Sequence, residues 1–457
     1  MSAIVTTAEL RRSRVRLFIV TMLFLVTTVN YADRATLSIA GPSLAKELHL
    51  DPIAMGYVFS AFGWSYVLAQ VPGGWLLDRF GSRWVYACSI VIWSIFTMMQ
   101  GWIGFFSGAA AVTALFALRF LVGFAEAPSF PANARIVAAW FPSNERGTAS
   151  AFFNSGQYFA TVIFAPLMGW IAHEFGWRHV FTVMGALGIL MGLLWIKTMY
   201  GPKEHPGINE AELDYIRDGG ALVDMEGAKD SVKDSVKDSV KDGKAASGGP
   251  TWSHIGQLLS NRMMLGVYIG QYCINTLTYF FLTWFPVYLV KERGLSILQA
   301  GFVATLPALC GFIGGVLGGF ISDAILRKTG SLTLARKIPI VGGMLLSMAI
   351  IGCNYVDGQT LVVGLMALAF FGKGIGALGW AVVSDTSPKE AGGVSGGLFN
   401  TFGNLSSITT PIVIGYILSA TGSFNGALVF VGVNALVAAC AYLLIVGKIQ
   451  RVELRPS

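Results

Sequence analysis

The sequence predicts an all-α membrane protein of twelve transmembrane helices, arranged as two pseudo-symmetric six-helix bundles. Three observations lead to this fold class. Of the 457 residues, 54% are hydrophobic and 12% are charged, whereas soluble domains carry about 25% charged residues. The chain contains twelve apolar runs that are long enough to cross a bilayer. An internal repeat relates its two halves.

The apolar runs are separated by short polar connections, and each run is one predicted span because about 20 apolar residues cross a bilayer as a helix. They lie near residues 17–40, 54–77, 84–106, 109–139, 148–172, 177–199, 263–290, 299–325, 337–355, 359–384, 392–419 and 424–447. Six runs precede a polar stretch and six follow it. We therefore expect an N-terminal bundle over 1–200, a linker over 201–256 and a C-terminal bundle over 257–457.

The polar stretch contains three consecutive copies of Asp-Ser-Val-Lys, at 230–233, 234–237 and 238–241. A four-residue period is compatible with a short helix that carries stripes of Asp and Lys. Polar, low-complexity tracts are more often solvated and disordered. We expect a partly disordered cytoplasmic linker without a catalytic role.

Loop charge predicts the orientation in the membrane. The loops on the side of the N-terminus and the C-terminal tail carry Arg79, Arg83, Arg146, Arg327, Lys328, Arg336, Lys337, Lys389, Lys448, Arg451 and Arg455. The opposite loops carry Lys46, Arg178, Lys291 and Arg293. Loops rich in Lys and Arg stay in the cytoplasm, so we expect both termini and the linker there. The net charge of +7 then reflects orientation and not nucleic-acid binding.

Two motif pairs recur at nearly one offset. Gly74-Trp-Leu-Leu-Asp78 reappears 245 residues later as Gly319-Phe-Ile-Ser-Asp323. The segment PSNERGTASAFFN at 142–154 reappears 246 residues later as PKEAGGVSGGLFN at 388–400. The two matches indicate a duplicated six-helix unit. Parallel repeats of this kind place a substrate site at mid-membrane between the halves, with alternating access by rocking.

Asp33 and Arg34 interrupt the first apolar run. A charge at the bilayer centre costs about 2.5–3.5 kcal/mol on insertion scales, and such groups usually face a bundle interior or a water-filled path. Neighbouring residues point about 100° apart on a helix. We expect Arg34 to face a central cavity and Asp33 to face a neighbouring helix, with a structural ion pair at a helix break as the alternative.

Three further ionisable residues lie inside apolar runs. Arg119 and Glu126 are two helical turns apart on one face, and a buried acid beside a cation exchanges its proton according to what else binds that cation. This arrangement predicts a proton switch, with a permanent structural pair as the alternative. Lys373 needs an anionic partner or water at its depth, unless it snorkels or is structurally paired.

Amides and aromatic residues in the Gly-rich spans are candidate substrate contacts. The amides are Gln157, Asn154, Asn400 and Asn404, and the aromatic residues are Tyr31, Tyr66, Tyr279 and Trp380. Amides bond hydroxyl groups without a fixed charge, although helix–helix contacts explain any single one equally well. A lone aromatic residue in a membrane helix more often serves packing. We favour Tyr31, because it lies three residues before Arg34 on a nearby face.

The segment GWLLDRFGSR at 74–83 resembles the loop motif of the major facilitator superfamily. Ser82 stands where that motif usually has Lys or Arg, and Arg83 follows it. The resemblance covers nearly the whole chain and implies the superfamily's fold. It also implies that Asp78, Arg79 and Arg83 form a conformational latch between helix ends and not a ligand site.

Four segments resemble the bacterial hexarate permeases, which move galactarate and glucarate with protons and belong to the wider anion:cation symporter group. They are NYADRATLSIAG (30–41), APSFPANARIVAAWFPSNERGTASAFFNSGQYF (127–159), LLSNRMMLGV (258–267) and FFGKGIGALGWAVVSD (370–385). The resemblance implies a bacterial inner-membrane location. The repeated linker has no counterpart in the family pattern.

The same resemblance implies roles for individual residues. Arg34, Gln157 and Asn400 match residues that contact substrate in the resembled carriers. The matching Asp33 takes part in proton coupling. Glu126 is the coupling protonation site, with Arg119 as its partner.

We therefore expect a monomer that imports a hexarate with protons as the coupling ion and without a cofactor. A hexarate has a carboxylate at each end, and Arg34 and Lys373 are suited to hold one end each. Entry of a dianion into an inside-negative cell works against about 2.3 kcal/mol per charge per 100 mV. Two protons, carried by Asp33 and Glu126, would cancel that work.

Other function classes fit the residues less well. Galactonate or a hexuronate is an alternative substrate. An exporter of the same superfamily fits an acid-only, aromatic-rich cavity better than this set of cations, and the duplication suits rocking better than a passive channel. The five cysteines match no metal or disulfide spacing, and no nucleophile–base pair that would suit an enzyme is recognisable. The chain lacks a GxxxxGK[ST] phosphate loop, which argues against a primary pump.

Overall fold

The structure is a computed structural model that describes residues 12–106, 108–143, 145–225, 252–388 and 392–454. Eleven helices in these ranges are long and apolar enough to cross a membrane. A further helix, Arg146–Glu174, has 29 residues and is more polar, because Asn154, Ser155 and Gln157 lie in its first half. With it the described chain has the twelve long helices that the sequence predicts, and the predicted fold class is confirmed. The Asp-Ser-Val-Lys repeats lie outside the described residues.

The spans follow the chain order of the apolar runs. They are Val15–Glu47, Pro52–Phe80, Ser82–Phe105, Gly108–Trp140, Arg146–Glu174, Trp177–Thr198, Arg262–Lys291, Ile297–Thr329, Leu332–Tyr355, Gln359–Thr386, Val394–Thr421 and Asn425–Ile445. We number them from the first to the twelfth. The start of the first span and the end of the twelfth span lie on one face, which we call the linker face, and the other face is called the opposite face.

Two spans at equivalent places in the halves are broken helices. The fourth span is interrupted between Gly108–Glu126 and Ser129–Trp140, where Pro128 lacks the N–H that would continue the helical hydrogen bonds. The tenth span is interrupted between Gln359–Ile375 and Gly379–Thr386. Both breaks follow closely on a buried ionisable residue, Glu126 in the fourth span and Lys373 in the tenth.

The two halves touch closely toward the opposite face. A Cβ atom added at Gly56 would lie 2.6 Å from the backbone oxygen of Pro411, and one added at Gly415 would lie 2.5 Å from that of Pro52. The second and eleventh spans therefore pack backbone to backbone there. The fifth and eighth spans do the same, since a Cβ at Gly301 would lie 2.5 Å from a backbone oxygen. Small residues permit such contacts between membrane helices.

The halves separate toward the linker face. Asn400 of the eleventh span donates a hydrogen bond to Gln70 of the second span at 2.9 Å. Beyond this bond Val71 is 83% exposed, and a Cβ added at Gly74 or Gly397 would have nothing within 4 Å. In the described part of the chain, the halves are thus in contact toward the opposite face and apart toward the linker face.

The first part of the predicted linker docks on the N-terminal bundle. Its short helix, Glu210–Asp218, places Glu212 in an ion pair with Arg16 at 3.0 Å. Tyr215 and Arg16 donate hydrogen bonds to Glu145. Partial burial raises the pKa of the Glu145 carboxyl, but these hydrogen bonds outweigh it and hold the pKa below its usual range.

Candidate functional site

A cavity lies between the halves and is lined by residues of both. The lining residues are Tyr31, Ala35, Ser38, Ile39, Gln157, Tyr158, Thr161, Ala165, Thr278, Phe281, Leu282, Phe285, Pro286, Ala304, Pro307, Ala308, Phe370 and Lys373. Three predicted site residues, Tyr31, Gln157 and Lys373, therefore meet in one cavity. Among the described residues that line it, Lys373 is the one charged side chain.

Arg34 lies behind Tyr31 and does not line the cavity itself. Its guanidinium carbon is 4.6 Å from the ring centre of Tyr31, 4.7 Å from that of Phe62, 5.0 Å from that of Tyr66 and 6.0 Å from that of Phe130. These distances are within the range of cation–π attraction. The ring of Tyr31 lies between this guanidinium and the cavity, which differs from the expectation that Arg34 faces the cavity directly; its contact with substrate stays a prediction. Tyr66 likewise contacts this cation and not the cavity.

Glu126 forms a buried ion pair with Arg34. The glutamate is 0% exposed and ends the first half of the broken fourth span. Arg119, its predicted partner, instead donates a hydrogen bond to the backbone oxygen of Arg34 at 3.3 Å. In the described part of the chain, no carboxylate lies within 4.0 Å of Arg119. The physical reason is that about 10.5 Å of helical rise separates Arg119 from Glu126, and Arg34 enters that gap from the first span.

Asp33 faces the third span, in agreement with the expectation that it faces a neighbouring helix. Thr97 donates a hydrogen bond to Oδ2 of Asp33 at 2.8 Å. Oδ1 of the same carboxyl is buried and has no hydrogen-bond partner among the described residues. We did not select Thr97 from the sequence. The available signal was a threonine within a long apolar span.

Lys373 enters the cavity from the tenth span. Its Nζ lies 5.6 Å from the ring centre of Tyr158 and 5.1 Å from that of Phe370, and 5% of the residue is exposed. No carboxylate of the described residues lies within 4.0 Å of this ammonium group. Tyr158 was not predicted, although it directly follows the predicted Gln157 and lies on the same wall.

A chain of hydrogen bonds crosses from one half to the other at the linker-face end of their contact. Tyr279 donates to Asn404 at 2.9 Å, Asn404 donates to the side chain of Asn400 at 3.1 Å, and Asn400 donates to Gln70. Neither Tyr279 nor Asn400 is among the residues that line the cavity, and their contact with substrate stays a prediction. Their hydrogen-bonding capacity is used between the spans, and Gln70 is the partner that the sequence did not indicate.

Trp380 also lies outside the cavity lining. It is 57% exposed and packs edge to face on Phe399, with ring centres 5.0 Å apart. The break in the tenth span precedes Trp380, so the residue belongs to the short helix on the linker-face side. Trp380 therefore lies apart from this cavity, and its contact with substrate stays a prediction.

The predicted latch residues lie at the linker face and contact the N-terminal bundle. Asp78 forms an ion pair with Arg135 of the fourth span at 2.6 Å. Arg79 lies 5.3 Å from the ring centre of Trp75, and Arg83 donates to a backbone oxygen of the sixth span at 2.9 Å. The contacts of Asp78 and Arg83 join helix ends within one half, whereas Arg79 and Trp75 belong to the same span. The latch role stays a prediction, with Arg135 as a further member.

Comparison with known proteins places these features among transporters. A sequence profile of the Major Facilitator Superfamily matches residues 23–353. The chain is 66% identical to the probable galactarate/D-glucarate transporter GudP of Bacillus subtilis (strain 168), with 97% of this chain and 95% of that protein covered. It is 59% identical to the probable galactarate/D-glucarate transporter GarP of Escherichia coli (strain K12), with 96% of each chain covered.

A more distant relative and a solved structure complete the comparison. The chain is 42% identical to the D-galactonate transporter of Escherichia coli O6:H1, with 96% of this chain and 97% of that protein covered. It superposes on the crystal structure of a D-xylose–proton symporter with a TM-score of 0.68 at 16% identity, over 95% of this chain and 98% of that one. The second likeness concerns the fold alone.

Proposed function

The chain belongs to the major facilitator superfamily, a family of transporters and not of enzymes, and on that premise we propose that it imports galactarate or glucarate with protons. Relatives named for these two acids are 58% to 66% identical over nearly the whole chain. Relatives named for galactonate and hexuronate are 42% and 30% identical. A hexarate is therefore the favoured substrate, and another sugar-acid anion is the alternative.

The single observation that supports proton coupling is the buried ion pair of Arg34 and Glu126 behind the cavity wall. A substrate carboxylate that displaces the ring of Tyr31 competes with Glu126 for the same guanidinium. Leaving either ion buried without a partner costs about 3–5 kcal/mol. Protonation of Glu126 removes this cost, so that binding of the proton and of the anion favour each other.

Asp33 is the proposed second proton site. Its Oδ1 atom has no hydrogen-bond partner among the described residues, so a proton can be added there without breaking the bond from Thr97. Two protons would balance the two charges of a hexarate. They would cancel the electrical work of about 2.3 kcal/mol per charge per 100 mV.

The open face gives the proposed cycle its direction. We propose that the linker face is cytoplasmic in a bacterial inner membrane, because its loops are rich in Lys and Arg. The chain then faces inward, after release of substrate and protons. Pairing of Arg34 with Glu126 neutralises both buried charges and allows the empty carrier to reopen outward. One chain supplies both walls of the cavity, which supports a monomer in the lipid, with protons and no further cofactor.

Uptake by proteoliposomes tests this proposal. Labelled galactarate should accumulate when the outside is made acidic and should only equilibrate without a gradient. Glu126→Gln should abolish accumulation but retain exchange of internal for external galactarate, because the glutamine imitates the protonated acid. Glu47→Gln, a carboxylate change at the opposite face, is the control and should accumulate normally.

Two results would refute the proposal in different ways. Gradient-driven accumulation that persists in Glu126→Gln would remove the coupling role. If the unaltered protein exchanges no hexarate but does exchange another anion, that other anion is the substrate.

A further inference from the structure

We propose that Lys373 makes the carrier selective for dicarboxylates, by binding the carboxylate at the end of the substrate that Arg34 does not hold. This inference rests on the proposed function, which it deepens. It assigns the two ends of the substrate to different halves of the molecule, and it defines the substrate class as linear polyhydroxy acids with a carboxylate at each end.

The first argument is the unmatched charge. Lys373 is the one charged side chain among the described residues that line the cavity. Its described neighbours at the ammonium group are the faces of Tyr158 and Phe370, which attract a cation weakly compared with a carboxylate. A buried ammonium needs an anion or water as its partner. A substrate carboxylate in the cavity supplies that partner.

The second argument is that the backbone of Lys373 is held in place. A Cβ atom added at Gly372 would lie 2.5 Å from the backbone oxygen of Gly343 in the ninth span. A Cβ added at Gly374 would lie 2.8 Å from the backbone nitrogen of Gly315 in the eighth span. The lysine therefore projects from a point where three helix backbones touch. Its ammonium group lies beside two rings of the cavity wall. It does not extend toward a membrane surface, as a snorkelling lysine would.

The third argument comes from the internal repeat. Glu126 and Lys373 are 247 residues apart in the sequence, close to the offsets of the two repeated motifs, and each precedes the break in its span. The N-terminal position carries an acid that is paired within its own half. The C-terminal position carries a cation that pairs with no carboxylate of the described residues, so a substrate carboxylate can supply its counter-charge.

The polar groups between the two cations suit a chain of hydroxyl groups. Gln157 and Thr161 line the cavity on the wall of the fifth span, and Tyr158 lies between them. Amides and hydroxyls bond the hydroxyl groups of a sugar acid without adding charge. A monoacid such as galactonate would satisfy Arg34 and these groups but leave Lys373 without an anion.

The experiment compares galactarate, its monomethyl ester and galactonate in exchange assays with proteoliposomes. Exchange does not need a proton gradient, so it separates recognition from coupling. The unaltered protein should prefer galactarate to either monoanion by about 10- to 100-fold in apparent affinity, the effect of one charge-assisted hydrogen bond. Lys373→Gln should lose most of that preference by weakening galactarate alone, and Lys373→Arg should retain it.

Controls make each outcome decisive. Lys291→Gln, an exposed lysine at a helix end, should leave all three affinities unchanged. A Lys373→Gln protein that keeps the preference, or that loses affinity equally for dianion and monoanions, would overturn the inference. Equal affinity of the unaltered protein for galactarate and its monomethyl ester would overturn it without any variant. Absence of exchange with all three acids in the unaltered protein would instead refute the proposed function.

Discussion

The two bundles differ in whether their buried charges are paired within the protein. In the N-terminal bundle Arg34 is paired with Glu126, and Asp33 and Arg119 lie close by among buried polar groups. In the C-terminal bundle Lys373 projects alone into the cavity. The first bundle carries carboxyl groups beside its cations, whereas Lys373 has no carboxylate partner among the described residues. Coupling is therefore expected on one side of the cavity and a constant electrostatic contact on the other.

The largest expected effect follows removal of Arg34. Arg34→Gln leaves Glu126 buried without its partner, which should destabilise the protein by about 3–5 kcal/mol and abolish galactarate exchange. Thermal unfolding in detergent and exchange in proteoliposomes measure the two losses. The double variant Arg34→Gln/Glu126→Gln removes both charges and should regain most of the stability without regaining exchange. If the double variant stays as unstable as the single one, the pairing in the N-terminal bundle is not what stabilises these residues.

A smaller effect is expected where the two bundles join. Asn400→Ala removes the hydrogen bond to Gln70 and should weaken the closed opposite face by about 0.5–1.5 kcal/mol. A cysteine at Ser38, in the cavity lining, should then react faster with a reagent added on the opposite face. Asn434→Ala is the control, because that amide bonds within its own helix. Equal labelling rates in the two variants would show that the contact between halves does not depend on this bond.

The smallest effect is expected at the docked linker, which contacts the N-terminal bundle. Glu145→Gln removes partly exposed interactions and should cost less than about 1 kcal/mol. Because the folded pKa of Glu145 is lowered, its contribution is present above the unfolded value of about 4.3 and is lost as the pH falls through the lowered folded value. Unfolding curves recorded from pH 7 down to about pH 2 should stay apart above about pH 4.3 and converge below it. A Glu174→Gln protein, altered at the exposed opposite face, should follow the unaltered one throughout.

The sequence predicted the spans well, because the length and apolarity of a run are local properties. It also identified Asp33, Arg34, Glu126 and Lys373, because a charge within an apolar run is locally costly. The pairing of Arg34 with Glu126 could not be predicted, since it depends on how the first and fourth spans are rotated and on their relative height. The same holds for Gln70, whose bond to Asn400 joins residues 330 positions apart.

Other differences between the expected and the observed positions also have specific causes. Trp380 lies outside the cavity lining because the break after Ile375 places it on the short helix at the linker-face side. Thr97 and Tyr158 were missed because nothing in their local sequence distinguishes them from the other threonine and tyrosine residues of the apolar runs. Their importance arises from the groups that face them in three dimensions.

The glycines on either side of Lys373 have a consequence for engineering and for divergence among carriers. A larger residue at 372 or 374 would push apart three helices and displace the ammonium group, even though it touched no substrate atom. Selectivity for a second carboxylate then depends on how the three helices pack together. Grafting a lysine alone onto a monoacid carrier should not transfer the trait, whereas exchanging the tenth helix together with its two neighbours should.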